Sequence, residues 1–528
     1  MYIVKKVYLC TAKKKKIIIM DTTMKKLISS VLVVVMALGM NTAKADNISM
    51  EEAREAAAYF MAYYTGVDKL TTDDLELVYQ IDNEKLGIPA SYFFNLASDG
   101  WIIMAGTTTI DPIIGYNTEG SLDPDCFPAN MRWWVNGYSD MVSEIQELDA
   151  ENDYPDHEMW TSLKNRNYKG DTKEAQHILM SEKWGQGDDI TPTYNYYCPQ
   201  TITSGRYAIA GCVATAMSQI FHYYRFPRKG TGMASYYLPS QLSHEDSAST
   251  MPRVSLKYNF NDSVEFNYGM MPNVPTKKVA QGYYYIYEQN CTDEEMHEIA
   301  RLMYACGVSV KMSYLPDGSG ALSANVPGAA ASYFKYKRGR ENYRSGNTDW
   351  AYVSALRSAL MANNVLYMAG ASSTGTGGDA SGHAWVCGGY KETDTNRYFM
   401  NWGWDGSSNG FYNLGANSMP ISQQGYNFNV RQEYISGMVP DSSQMGISDI
   451  EDLTYLGQPY PNPAMESVTL PYSTQSISDL VIYGIDGRPV KTYRVQPGSG
   501  KFEVRVDALP AGVYIYRLNS LTGKFIVQ

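Results

Sequence analysis

The stretch "AGCVATAMSQIFHYYRFP", residues 210–227, decides how the middle of this chain is read. Val213, Ala216, Met217, Ile220 and Tyr224 recur at helical spacing and Pro227 cannot continue the run, so a helix is expected to begin at Cys212. A cysteine at that end meets backbone N–H groups that no helical carbonyl satisfies, and the helix dipole there favours negative charge. The thiolate is the form that attacks a carbonyl carbon, which makes Cys212 a candidate nucleophile. A plainer reading stands beside it, because cysteine is among the residues most often buried and a buried thiol is inert. A nearby base, a group that orients it and an oxyanion donor would separate the two.

The chain has six histidines. His157 and His177 lie in or beside a polar stretch, His222 sits about three turns along the Cys212 helix, and His244 and His297 fall in polar contexts; these are expected at the surface. His383 differs: "TGTGGDASGHAWVCGGY" (374–390) sets it after a glycine-rich loop, at the mouth of an apolar strand, where an imidazole can face a cleft. After the strand-like "DTNRYFM" comes "NWGWDGSSNGFY" (401–412). There Asn401 is expected to hydrogen-bond the imidazole and fix its tautomer, with Trp402 shielding that bond from water. At least one of Trp402 and Trp404 also reads as hydrophobic filling. Upstream, Gln186 in "SEKWGQGDDITPTYNYYCP" (181–199) is a candidate donor that would complete an oxyanion hole with the Cys212 N–H. In the chain order Gln, Cys, His, Asn, these positions look like the papain arrangement, which is defined by role rather than spacing.

Composition narrows the classes. A chain of 528 residues with 44% hydrophobic and 19% charged residues is globular and too long for a single core. Its 55 acidic residues exceed its 44 basic ones, so nucleic acid is not an expected partner. The cysteines at 10, 126, 198, 212, 291, 306 and 387 form no CxxC pair and no cluster with histidine. Neither a metal nor a cofactor is expected, and a disulfide framework is not, although one incidental bridge stays open.

At the front, "MKKLISSVLVVVMALGMNTAKAD" (24–46) has two lysines, an apolar run from Ile28 to Leu38 and an Ala43-Lys44-Ala45 ending. It reads as a secretory signal with translation starting at Met24 and residues 1–23 an upstream extension; the run is short of the ~20 residues that span a bilayer. The mature chain is expected to begin near Asp46.

"SMEEAREAAAYFMAYYTG" (49–66) then reads as a capped amphipathic helix, followed by short strands at "YQI", "ASYFFNLA" and "GWIIMAGTT" and a second helix in "NMRWWVNGYSDMVSEIQEL" (130–148). Residues 46 to about 150 form a small α+β domain on this reading. The polar "DAENDYPDHEMWTSLKNRNYKGDTKEAQ" (149–176) is expected to be an exposed, protease-sensitive linker. Beyond residue 450, strands at "DLVIYGIDGRPVKTYRV", "GKFEVRVDALPAGVYIYRLN" and "GKFIVQ" with Gly, Pro and Asp-Gly turns predict an all-β sandwich.

The segments "WGQ" (184–186), "YNYYCP" (194–199), "GCVATAMSQIFHYY" (211–224), "LMYACGVSVKMSYLPDGSGA" (302–321), "SGHAWVCGGY" (381–390) and "NWGWDGSSNGFY" (401–412) resemble the streptopain family of papain-like cysteine peptidases. "NLASDGWIIMAGTTTIDPIIGYNTEGS" (95–121) resembles that family's inhibitory propeptide, and the tail, with "YPNPA" and "LPAGVYIYRL", resembles the C-terminal signal of type IX secretion.

The resemblance implies an α+β chain: an inhibitory propeptide with cleavable linker at 46–175, a papain-like catalytic unit of two subdomains at 176–440 and a sorting β-sandwich at 450–528. It implies Cys212 as nucleophile, His383 as base and acid, Gln186 in the oxyanion hole, Asn401 and Trp402 around the histidine, and cleft borders at 317–321 and 373–382. The expected product is a zymogen of a secreted cysteine endopeptidase without cofactor, exported through the periplasm and outer membrane of a Gram-negative bacterium. Its expected partners are polypeptide substrates, its own propeptide and the type IX secretion machinery, with no stable membrane span. Two positions depart from the family's usual pattern: Gly388 or Gly389, where Asp is common, and Asp405, where Gly is. The other readings are a thiol acyltransferase or amidase on the same scaffold, and an inactive secreted adhesion protein.

Overall fold

The computed structural model describes residues 47–528 apart from 68–69, 125–126, 153–155, 171, 174–175, 189–192, 201–204, 239–254, 282–283, 345–349, 372–381, 415–431, 446–454, 458, 475–477, 496–497 and 519–520. The signal segment, the extension before it and the glycine-rich stretch at 372–381 lie outside the described residues.

Helix α1 (Met50–Thr65) begins with a capping box: Ser49 Oγ accepts the Glu52 N–H at 3.2 Å while the Glu52 carboxylate accepts the Ser49 N–H at 2.9 Å. Gly66, at φ 70°, ends it in the left-handed region. The α1 stripe of Ala53, Ala57, Phe60, Met61 and Tyr64 covers one face of an antiparallel meander, β1 (Leu75–Asn83), β2 (Ile88–Leu96), β3 (Trp101–Ala105) and β4 (Ile113–Asn117). Strand alternation divides the meander: Tyr92, Phe94, Ile102 and Met104 face α1, while Phe93, Trp101 and Ile103 face α2 (Ala129–Asn152).

Part of the stretch after α2 is packed rather than open, while Lys164 to Asn167 and Lys169 are exposed. Residues Glu158–Lys164 form α3, and its Met159, Trp160 and Leu163 are buried in the core beneath α1. Three apolar side chains at i, i+1 and i+4 are enough to seat one short helix, and the charges around them mask the pattern.

Strand β5 (Gln176–Ile178) opens the second unit, and α4 (Cys212–Tyr224) runs through its centre. Two hairpins, β6 (Met233–Tyr237) with β7 (Ser255–Asn259) and β8 (Thr276–Gln281) with β9 (Tyr284–Gln289), precede α5 (Asp293–Ser309) and α6 (Val326–Tyr333). Then come β10 (Arg340–Tyr343), α7 (Trp350–Met361), β11 (Leu366–Ala371), β12 (Gly382–Lys391), β13 (Arg397–Asn401), β14 (Gly410–Asn413) and β15 (Glu433–Ser436).

Pairing of β4 with β14, Gly115 opposite Tyr412 and Tyr116 opposite Phe411, joins both units in one 11-stranded sheet. Its order is β1-β2-β3-β4-β14-β13-β12-β11-β15-β10, with β5 on β12. The pleat of β12 separates two cores: Ala384 and Val386 meet Val213, Met217 and Ile220 of α4, while Trp385 and Cys387 share a cluster with Trp134 of α2 and Leu356 of α7. Each large apolar side chain buried there is worth ~1.5–3 kcal/mol.

The last unit is the expected sandwich. One sheet is Tyr455–Leu456, Ser467–Thr474 and Gly498–Arg505; the other is Pro489–Val495, Ser478–Tyr483, Gly512–Leu518 and Leu521–Val527. Val468, Leu470, Leu480, Ile482, Val504 and Phe525 fill the space between. Among the described residues no helix is long and apolar enough to cross a membrane.

Candidate active site

Cys212 is the first residue of α4, preceded by Gly211 at φ 87°. A Cβ at Gly211 would lie 2.9 Å from Ser319 O and 3.0 Å from the Met312 sulfur, so only glycine lets the chain enter the helix here. The thiol is partly exposed. Burial pushes its pKa up, offset in part by N–H groups of Ala384, Val213 and Cys212 itself directed at the sulfur. The Ala384 N–H belongs to the residue after His383, so the mouth of β12 abuts the start of α4.

His383 lies second in β12, opposite Gly370 of β11, and is partly buried. Burial lowers its imidazole pKa, and among the described residues it makes no hydrogen bond. The two shifts run the same way: one favours the neutral thiol, the other the neutral imidazole.

Gln186 is 6% exposed. Its carbonyl accepts the Ala210 N–H at 2.9 Å, which ties its segment beside the residues entering α4. Its side-chain Nε2 is buried and has no hydrogen-bond partner among the described residues. A buried donor left open in this way needs an explanation.

Asn401 ends β13, as the sequence suggests, but with other partners. It pairs in register with Val386, three residues along β12 from His383, and the pleat turns it towards α4. Its amide donates to Glu182 O at 2.6 Å and Gln219 Oε1 at 2.9 Å, and its oxygen accepts the Gly403 N–H at 3.1 Å. The expectation that Asn401 hydrogen-bonds the imidazole is therefore corrected. Trp402 is fully buried, with its ring centroid 5.4 Å from that of Trp385 and its indole N–H donating to Ser408 O at 3.0 Å. It is part of the core beneath the histidine strand.

His222 is a second correction. It is buried rather than exposed, with Nδ1 2.7 Å from Glu182 Oε1 and Nε2 2.9 Å from Met271 O. Because a carbonyl only accepts, Nε2 carries a hydrogen. The signal lies in the sequence: from Cys212 to Phe221 the helix carries no charge on any side, the pattern of a helix buried all round. Asp405, a departure from the family's usual glycine, has a carboxylate that accepts hydrogen bonds from Tyr194 Oη at 2.6 Å and Thr276 Oγ1 at 2.7 Å.

Fold and site together define a class, that of the papain-like cysteine peptidases. Residues 184–412 match the Peptidase C10 family, residues 45–142 the Spi protease inhibitor family and residues 458–528 the secretion system C-terminal sorting domain. The chain thus carries a Peptidase C10 domain, with a Spi inhibitor domain before it and a type IX sorting domain after it. The chain is 27% identical over 409 residues to the thiol protease/hemagglutinin PrtT of Porphyromonas gingivalis, covering 76% of this chain and 43% of that protein. It is also 27% identical over 387 residues to streptopain of Streptococcus pyogenes serotype M1, covering 69% and 84% respectively. The fold is shared with a prointerpain A fragment of Prevotella intermedia, at TM-score 0.50 and 22% identity over 70% of this chain and 99% of that one. The sorting domain indicates export across the outer membrane of a Gram-negative bacterium, to the surface or the medium.

Proposed function

We propose that this chain is a secreted cysteine endopeptidase made as a zymogen, with Cys212 as nucleophile, His383 as general base and acid, and Gln186 as oxyanion donor. The observation that carries this reading is the contact of the Ala384 N–H with the Cys212 sulfur, beside a buried Gln186 amide that has no partner. In the reaction the Cys212 thiol gives its proton to the His383 imidazole and the sulfur attacks a peptide carbonyl. The Gln186 amide and the Cys212 N–H take the negative oxygen. His383 returns the proton to the leaving amine, and water, deprotonated by His383, releases the acyl group. Trp402 contributes by closing the floor beneath the histidine strand.

Residues 46–175 are the propeptide on this reading, 176–440 the catalytic unit and 450–528 the sorting domain. Removal of the first and last gives the mature enzyme, and the substrates are polypeptides. The pairing of β4 with β14 supports inhibition by a segment built into the enzyme's own sheet.

Mass spectrometry after treatment with a thiol-reactive epoxide tests the reading. Label on Cys212 of the matured chain, with Cys212→Ala remaining full length, is the expected result. No label on Cys212 in either form, with casein left intact, would leave an inactive binding protein.

A further inference from the structure

The segment carrying Gln186 is fastened to the turn that follows β13. Glu182 O accepts the Asn401 amide at 2.6 Å, and the Asp405 N–H donates to Trp184 O at 3.2 Å. Asp405 sits at φ 52°, a left-handed position that glycine would occupy more easily, so its side chain is retained against backbone preference. One carboxylate oxygen binds the Tyr194 and Thr276 hydroxyls. The other lies against Gly185, where a Cβ would come within 2.2 Å of it.

The far side of the segment is closed in the same manner. A Cβ at Gly187 would lie 2.1 Å from Asn195 Oδ1, and the Asn195 amide donates to Asp188 O at 2.5 Å and Ala208 O at 3.0 Å. Two glycines therefore let two polar side chains grip the backbone on either side of Gln186, whose amide is left open. His383 takes no hydrogen bond from this network.

We infer that Asn401 and Asp405 are positioning residues for the Gln186 amide, and that the 401–405 turn serves the oxyanion hole rather than the imidazole. This rests on the acyl-transfer reading of Cys212 and Gln186. A displaced Gln186 amide loses contact with the oxyanion, while the thiol and imidazole keep their geometry.

The chemistry separates the two roles. Hydrolysis and the binding of a peptide aldehyde both form an oxyanion, whereas alkylation of a thiolate by iodoacetamide forms none. Full chains carrying Asn401→Ala or Asp405→Gly are matured with tagged wild-type enzyme, which is then removed. For both variants kcat on a peptide substrate and aldehyde affinity are expected to fall together by ~10- to 100-fold. KM, and the rate and pH profile of Cys212 alkylation, are expected to match the wild type.

Asp405→Gly suits the left-handed backbone, and normal alkylation reports that Asn401→Ala is folded. A shifted alkylation profile in Asn401→Ala would show that Asn401 acts on His383 and overturn the inference. Unchanged kcat and aldehyde affinity in Asp405→Gly would overturn it as well. A wild type that neither hydrolyses peptide nor is alkylated at Cys212 would instead remove the acyl-transfer reading itself.

Discussion

Arg397 of the catalytic domain is paired with Asp111 of the inhibitor domain, and both side chains are 2% exposed. The second branch of the guanidinium meets Asp394 of its own domain at 2.5 Å. Close by, the buried Lys391 ammonium lies 3.8 Å from the centroid of Tyr64 and 4.7 Å from that of Phe411, and it also bonds the Tyr64 hydroxyl. Two buried cations of the catalytic domain are thus completed by side chains of the inhibitor domain. Burial holds the Asp111 carboxyl above its ordinary pKa, with Arg397 drawing it back down.

Removing one member of such a pair leaves the other charge buried with less compensation. Asp111→Ala is expected to destabilise the full-length chain by ~3–5 kcal/mol, lower its melting temperature and hasten loss of the inhibitor domain. Calorimetry and a time course of processing check this, and an unchanged transition with unchanged processing would show that the pair does not hold the domains together.

The Cys212 thiol is raised above its ordinary value of 9.0 by burial, so the full-length chain is expected to carry little thiolate at neutral pH. Alkylation of Cys212 should rise about tenfold per pH unit between roughly 7 and 9, following the thiolate fraction. A plateau already reached at mildly acidic pH would mean that a thiolate–imidazolium pair exists before maturation.

Gln186→Ala is expected to lower kcat by ~10²–10³ while barely moving the melting temperature, because its Nε2 has no partner to lose among the described residues. Steady-state kinetics on the matured enzyme measure the first quantity. A large thermal shift with modest kinetic loss would assign Gln186 to structure instead.

Burial raises the Asp405 carboxyl from 3.8 to about 6, against hydrogen bonds from Tyr194 and Thr276. The folded chain therefore holds this proton more tightly than the unfolded chain does. Its contribution to stability should decline as pH climbs from 3.8 towards about 6 and level off above. Comparing denaturation midpoints of the wild type and Asp405→Asn across that window isolates this group, and a wild type that gains on the variant as pH rises would contradict the sign.

Much of this architecture was legible because it is local. The apolar spacing after Cys212 defines α4, the run after His383 defines β12, and the Gly, Pro and Asp-Gly turns of the tail mark a sandwich. The chain order Gln186, Cys212, His383 is readable as a candidate site from the residues alone.

What the sequence by itself determined is the type and extent of these elements, since side-chain period and turn chemistry act within a few residues of chain. Tertiary structure decided what meets what. Register sets Asn401 opposite Val386, and a pleat of period two then turns its amide to Gln219 of α4. His222 is buried because Glu182 waits across the core, Trp160 because α1 offers a surface, and Arg397 because Asp111 arrives from a separate domain. Such pairings join residues far apart in sequence, and their free energy depends on desolvation and partner geometry that exist only once the distant segments have packed.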